Sequence, residues 1–118
     1  LAWFLRRKTA NPETFTEADV DEYERVFKKD GGLRAGLAYY RAASLSARQN
    51  RELNTKGKLK MPVLALSADQ GSIPDMAGPL RAYANEVRGV TIAQCGHVLP
   101  EEQPSAVANE LRGFVSRT

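Results

Sequence analysis

His97 is the only histidine in the 118-residue chain, and Cys95, two positions earlier, is the only cysteine. An imidazole titrates near neutrality, so it can take a proton and give it back. A lone histidine is more often a surface or packing residue than a catalyst, but the setting of this one favours chemistry. It follows an apolar run, Gly89-Val-Thr-Ile-Ala, and the loop Gln94-Cys95-Gly96, and it precedes Pro100-Glu-Glu-Gln-Pro. Open α/β sheets place their chemistry in loops at the carboxyl ends of parallel strands, and Gly96 permits a tight backbone there. Cys95 is a poor nucleophile for His97, because residues this close in sequence seldom face each other across such a loop. A metal site fails on ligand count, with one His and one Cys, and no cofactor motif is present.

These residues need elements to hold them, and the chain changes texture near Lys56-Gly57. Up to about residue 56 it reads as helical. Thr16 is an N-cap with Glu17 and Asp19 in the first turn, where the helix dipole favours negative charge. Val20, Tyr23 and Phe27 follow at helical spacing, and Gly31-Gly32 ends that helix. A second helix starts near Leu33, with Leu33, Leu37 and Tyr40 on one stripe, and runs past Leu45 towards Leu53. Beyond residue 57 the period changes. Met61-Pro-Val-Leu-Ala-Leu reads as a strand buried on both faces. Ser67 to Gly78 reads as loop, punctuated by Gly71 and Pro74. Pro79 suits the first turn of a helix carrying Leu80, Tyr83 and Val87. A second strand spans Gly89 to Ala93, and a last helix starts at Pro104, burying Val107, Leu111 and Phe114 or Val115. The order is strand–helix–strand–helix, an α/β arrangement with parallel strands. Two parallel strands make a poor sheet alone, so further strands are expected from residues outside this chain or from a second chain.

In order and spacing these segments resemble the C-terminal half of an α/β-hydrolase of the cap-bearing epoxide hydrolase and haloalkane dehalogenase branch. Cys95-Gly96-His97 with Pro100-Glu101-Glu102-Gln103-Pro104 is similar to the segment that carries the family's histidine. Met61 to Leu66 resembles the strand before its usual acid, and Gly32 to Ala42, ending in Tyr39-Tyr40-Arg41, resembles its cap helix. The resemblance covers nearly the whole chain. It implies a helical cap over 1–56 and a βαβα part of the hydrolase core over 57–118. It implies that His97 is the general base that hydrolyses a covalent ester intermediate. It implies that Tyr40, with Tyr39 as second candidate, donates a hydrogen bond to an epoxide oxygen or binds substrate; Tyr40 could equally be an aromatic packing residue. The acid, which would hold the imidazole's tautomer and stabilise the imidazolium, is less settled: Asp69 follows the matching strand but comes slightly early, a strict alignment puts Gly71 at that position, Asp75 is a poorer candidate, and some members supply the acid from an earlier strand; Asp69 could equally be a turn residue. The nucleophile elbow G-x-[S/D]-x-G and an oxyanion-hole segment are absent from the sequence, so the chain alone is expected to be inactive. An upstream Asp would make the parent an epoxide hydrolase or dehalogenase; an upstream Ser would make it an esterase or a carbon–carbon bond hydrolase. The substrate would be a small epoxide, halide or ester.

Composition narrows the alternatives. Apolar residues make up 42 % of the chain and charged residues 26 %, with a formal charge of +3, which suits a globular protein. Lys and Arg are interspersed with acids, without the basic stripe, zinc spacing or phosphate loop of a nucleic-acid binder. Arg6-Arg7-Lys8, the densest basic run, reads as a solvated helix face. No apolar run approaches the roughly 20 residues that span a bilayer, and Leu1 to Leu5 is too short for a signal peptide core. With one cysteine there is no internal disulfide, so a reducing, cytoplasmic setting is expected. The missing initiator Met suggests a start inside a longer protein. The rival to the enzyme reading is a non-catalytic piece that associates with itself or another chain through its sheet edge and helices.

Overall fold

A computed structural model describes residues 1–117. They form two compact units, Thr16–Gly57 and Ala2–Phe15 together with the chain from Lys58 on.

The first unit is helical. Helix α2 (Glu17–Phe27) starts on a reciprocal cap: the Thr16 side chain accepts from the Asp19 amide at 3.2 Å, and the Asp19 carboxylate accepts from the Thr16 amide at 2.9 Å. Two orphan donors of the first turn are thereby satisfied. The helix stops at Phe27, ahead of the expected Gly31-Gly32, and Lys28 caps it by donating to Glu24 O at 2.8 Å. Gly31 then adopts a left-handed φ of 74°, which only glycine takes freely, and Gly32 opens α3 (Gly32–Arg41). The single helix expected from Leu33 towards Leu53 is broken: α3 ends at Ala42 and α4 (Ala43–Asn54) begins there. Ala42 keeps right-handed dihedrals with ψ flattened to −4°, so no Gly or Pro marks the break. Leu33, Leu37, Tyr39 and Tyr40 on α3 are all exposed.

The second unit carries the sheet. Strands β1 (Val63–Ala68) and β2 (Val87–Ile92) pair in parallel, from Val63 opposite Val87 to Ala68 opposite Ile92. β1 starts two residues later than expected: Pro62 has no N–H for the ladder, and Val63 is the residue that donates to Glu86 O at 3.0 Å. β2 starts earlier, at Val87, because the helix expected from Pro79 to Val87 shrinks to α5 (Ala77–Leu80). Leu59 makes a parallel bridge to Ala84, with the Leu59 amide on Tyr83 O at 2.8 Å and the Asn85 amide on Leu59 O at 3.0 Å. The turn after α5 still closes on Leu80 O through the Tyr83 and Ala84 amides, and the bridge at Ala84 then ends the helical course and leads the chain into β2. Ser67 Oγ accepts from the Met76 amide at 3.0 Å and pins the loop that follows β1.

After β2 come α6 (Leu99–Glu102) and α7 (Pro104–Val115), the latter starting at the expected proline. Val107 of α7 is buried, and Glu110 meets Arg88 of β2 at 2.7 Å. The core is Ala68, Ile92 and Cys95, lined by Val90, Leu99 and Ala106. Cys95 is fully enclosed at 0 % exposure. Helix α1 (Ala2–Lys8) and a 3₁₀ turn at Pro12–Thr14 belong to this unit and bury Leu5 and Phe15. Trp3 stays exposed with the Arg7 guanidinium 5.4 Å from its ring centre. The sheet among the described residues has two strands. No described helix is long and apolar enough to cross a membrane.

Candidate active site

His97 sits in the loop between β2 and α6, at the carboxyl end of a parallel strand, as the sequence predicts. A loop in such a place must find partners for its own amides, and here each one from Gln94 to Val98 is bound. Asp69, just past the end of β1, accepts from the Gln94 amide at 2.9 Å and from the Cys95 amide at 3.0 Å. Glu102, the last residue of α6, accepts from Gly96 at 2.9 Å and from Val98 at 3.1 Å. The His97 amide donates to Lys8 O at 2.7 Å. Glu102 also accepts from the Ala10 amide at 2.6 Å. The segment from Lys8 to Ala10 is therefore tied to the histidine loop on both sides.

Gly96 is what lets that segment come close. A Cβ at this position would run into Lys8 O and lie 2.6 Å from Ala10 N, and both are backbone atoms that cannot rotate away. Gln94 takes a positive φ of 53°, uncommon outside glycine. Its amide is held by Asp69, and its carbonyl accepts from Gln103 Nε2 at 3.0 Å.

The imidazole of His97 is exposed and has no hydrogen-bond partner among the described residues. Asp69 thus meets the backbone of the loop and not the ring. The Cys95 amide, then the Gln94 amide, hold the Asp69 carboxyl below its ordinary value, as donors to a charged carboxylate do. Burial, helped by the Glu102 and Asp69 carboxylates, pushes the Cys95 thiol up. A thiol so placed stays protonated and inert. Asp75 accepts from the Gly78 amide at 2.9 Å and is occupied by α5. Among the described residues no group of three His, Cys, Asp or Glu could hold a metal ion.

Tyr39 and Tyr40 lie in the helical unit at the end of α3, exposed by 81 % and 74 %. Their rings meet edge to face at 5.9 Å between centres. An open groove in the same unit is lined by Phe27, Leu33, Arg34, Leu37 and Arg41 among others, and includes neither tyrosine. Sequence reasoning missed Glu102, Lys8 and Ala10. The signal for Glu102 was present in Pro100-Glu101-Glu102, but nothing in the sequence says which amides it binds.

No protein-family model matches the chain. The chain is 32 % identical over 104 residues to a soluble epoxide hydrolase from Corynebacterium sp. (strain C12), spanning 88 % of this chain and 36 % of that protein. Among solved structures, Cfl2 wild-type from Burkholderia cenocepacia is 71 % identical with a TM-score of 0.93, over 96 % of this chain and 38 % of that one. The epoxide hydrolase CorEH without ligand is 29 % identical with a TM-score of 0.82, over 98 % of this chain and 42 % of that one. The Cif epoxide hydrolase from Acinetobacter nosocomialis is 26 % identical with a TM-score of 0.88, over 96 % and 36 %. The chain thus spans well under half the length of these relatives. By both sequence and fold it belongs with the epoxide hydrolase-like α/β-hydrolases, and it holds part of their fold.

Proposed function

We propose that the chain contributes the general base of an epoxide hydrolase-like enzyme, with His97 in that role. The carrying observation is an exposed imidazole on a loop at the carboxyl end of β2 whose backbone amides, Gln94 to Val98, are all tied down. The likeness to a soluble epoxide hydrolase and to the Cif epoxide hydrolase supports a small epoxide as substrate; a halide or ester is the alternative. In this reading an Asp outside the chain attacks a substrate carbon and forms an ester, and the epoxide oxygen leaves as an alkoxide that takes up a proton. His97 then removes a proton from water, the hydroxide attacks the ester carbonyl, and the diol departs as the carboxylate is regenerated. Tyr40, with Tyr39 as the second candidate, donates to the epoxide oxygen from the helical cap. Both oxygens of Asp69 serve the loop, so the acid that faces the ring comes from residues outside this chain, and Asp69 acts on the loop that carries the imidazole.

No segment here supplies a nucleophile, so turnover requires the remainder of the fold. Replacing His97 by Gln in the full-length enzyme should stop turnover after ester formation, leaving a covalent adduct visible by intact-protein mass spectrometry. Removing a general base costs about 10²–10⁴-fold. Unchanged turnover removes His97 from the mechanism. A serine acyl-enzyme in place of an aspartyl ester would reassign the protein to the esterases.

The second reading, a non-catalytic piece that associates with another chain, draws on the exposure of Leu33, Leu37, Leu111 and Val115 and on a sheet of two strands. Size-exclusion chromatography with light scattering of this chain alone tests it. A well-folded monomer counts against it.

A further inference from the structure

We propose that Glu102 is the positioning residue for His97, a role that rests on the reading of His97 as the base. The carboxylate grips the backbone on both sides of the histidine. Oε2 accepts from Gly96 at 2.9 Å and Oε1 from Val98 at 3.1 Å, the residues directly before and after His97. Oε2 also accepts from Ala10 at 2.6 Å, 92 residues away in sequence. Through Ala10 the same carboxylate secures the stretch whose Lys8 carbonyl receives the His97 amide at 2.7 Å. One side chain therefore sets the Cα of His97 from before, from after and from across.

This matters for the ring because the imidazole has no hydrogen bond of its own among the described residues. Its aim is inherited from the backbone. Charge-assisted bonds from amides to a carboxylate are short and strong, and Glu102 is half-buried, which limits competition from water. Val98 is also the N-cap of α6, so the Oε1 bond satisfies one orphan donor of that helix's first turn. The other two partners, Gly96 and Ala10, lie outside the helix, in the histidine loop and the Lys8–Ala10 segment.

The test separates the two half-reactions in the full-length enzyme. Glu102→Ala and Glu102→Gln are compared with wild type and with His97→Gln in single-turnover experiments that follow ester formation and ester hydrolysis. Misplacing a reacting group by about 1 Å costs on the order of 10²-fold. Glu102→Ala should slow ester hydrolysis by about that factor and leave the rate of ester formation near wild type. Glu102→Gln keeps an acceptor oxygen but turns an NH₂ towards an amide donor, so it should fall between the two, and it serves if the Ala variant does not fold. A purely structural role would lower the amplitude of both steps while leaving their rate constants alone, and that result overturns the proposal. Normal hydrolysis in both Glu102 variants while His97→Gln stalls overturns it too, and leaves the base standing. Normal hydrolysis in His97→Gln, or no ester in wild type, removes the base and the positioning role together.

Discussion

Asp69 and Glu102 divide the histidine loop between them. Asp69 binds the amides of Gln94 and Cys95, and Glu102 binds those of Gly96 and Val98, with the His97 amide left to Lys8 O. A loop of irregular backbone is usually the soft part of a fold. This one is clamped by two carboxylates from different elements, and the fixed donors in turn hold the Asp69 carboxyl below its ordinary value.

That arrangement makes stability depend on acid in a defined window. The Asp69 carboxyl lies below its ordinary value of 3.8 because the charged form accepts the Cys95 and Gln94 amides. A group whose value is depressed by folding stabilises the fold fully above its unfolded value, and that contribution disappears as pH falls through the folded one. Asp69→Asn should therefore lower the denaturation midpoint at neutral pH. The gap to wild type should close progressively below about 3.8. Urea midpoints for both proteins at pH 7 and pH 3 check this, and a gap that does not change with pH refutes it.

Gly96 should tolerate no side chain. A Cβ would press on Lys8 O and Ala10 N, and overpacking against groups that cannot yield costs roughly 1–3 kcal/mol. Gly96→Ala should lose about that much in denaturant titrations. Gly113→Ala in α7, where a Cβ meets nothing within 4 Å, should gain about 0.5–1 kcal/mol from helix propensity. Equal effects at the two positions would mean that the Lys8–Ala10 segment does not pack on Gly96.

If Tyr40 donates to the epoxide oxygen, Tyr40→Phe should slow ester formation by about 10²–10³-fold, the usual cost of one donor to a developing oxyanion. Ester hydrolysis should be nearly unaffected. Tyr39→Phe should leave both steps near wild type. Matching losses in the two variants would favour a packing role for the pair, whose rings already touch at 5.9 Å.

The parts legible in the sequence are those decided by local chemistry. Thr16 caps α2 because its side chain meets an amide three residues on. Pro104 starts α7 because a first-turn residue needs no N–H. The loop with His97 follows a strand because β-branched residues precede it. The rest depended on partners far away in sequence. Tyr83 and Val87 fall at helical spacing, yet after the turn that ends at Tyr83 the Leu59 bridge at Ala84 leads the chain into β2. The α3–α4 break at Ala42 carries no glycine or proline to announce it. Asp69 could be placed beside the histidine loop, but whether it would meet the ring or the backbone could not be read from spacing. Glu102 was visible as part of a motif, while its bond to Ala10 spans 92 positions.

The chain leaves the sheet-bearing unit at Phe15 and re-enters it at Lys58, so the helical unit is spliced into the sheet-bearing one as an insertion. The strand, the loop and the Lys8–Ala10 anchor that hold His97 all lie outside the insert. Drift in the insert's length or composition leaves those bonds untouched. The insert can thus change in one stretch of the gene while the segments that clamp the His97 loop, encoded on either side of it, keep their form.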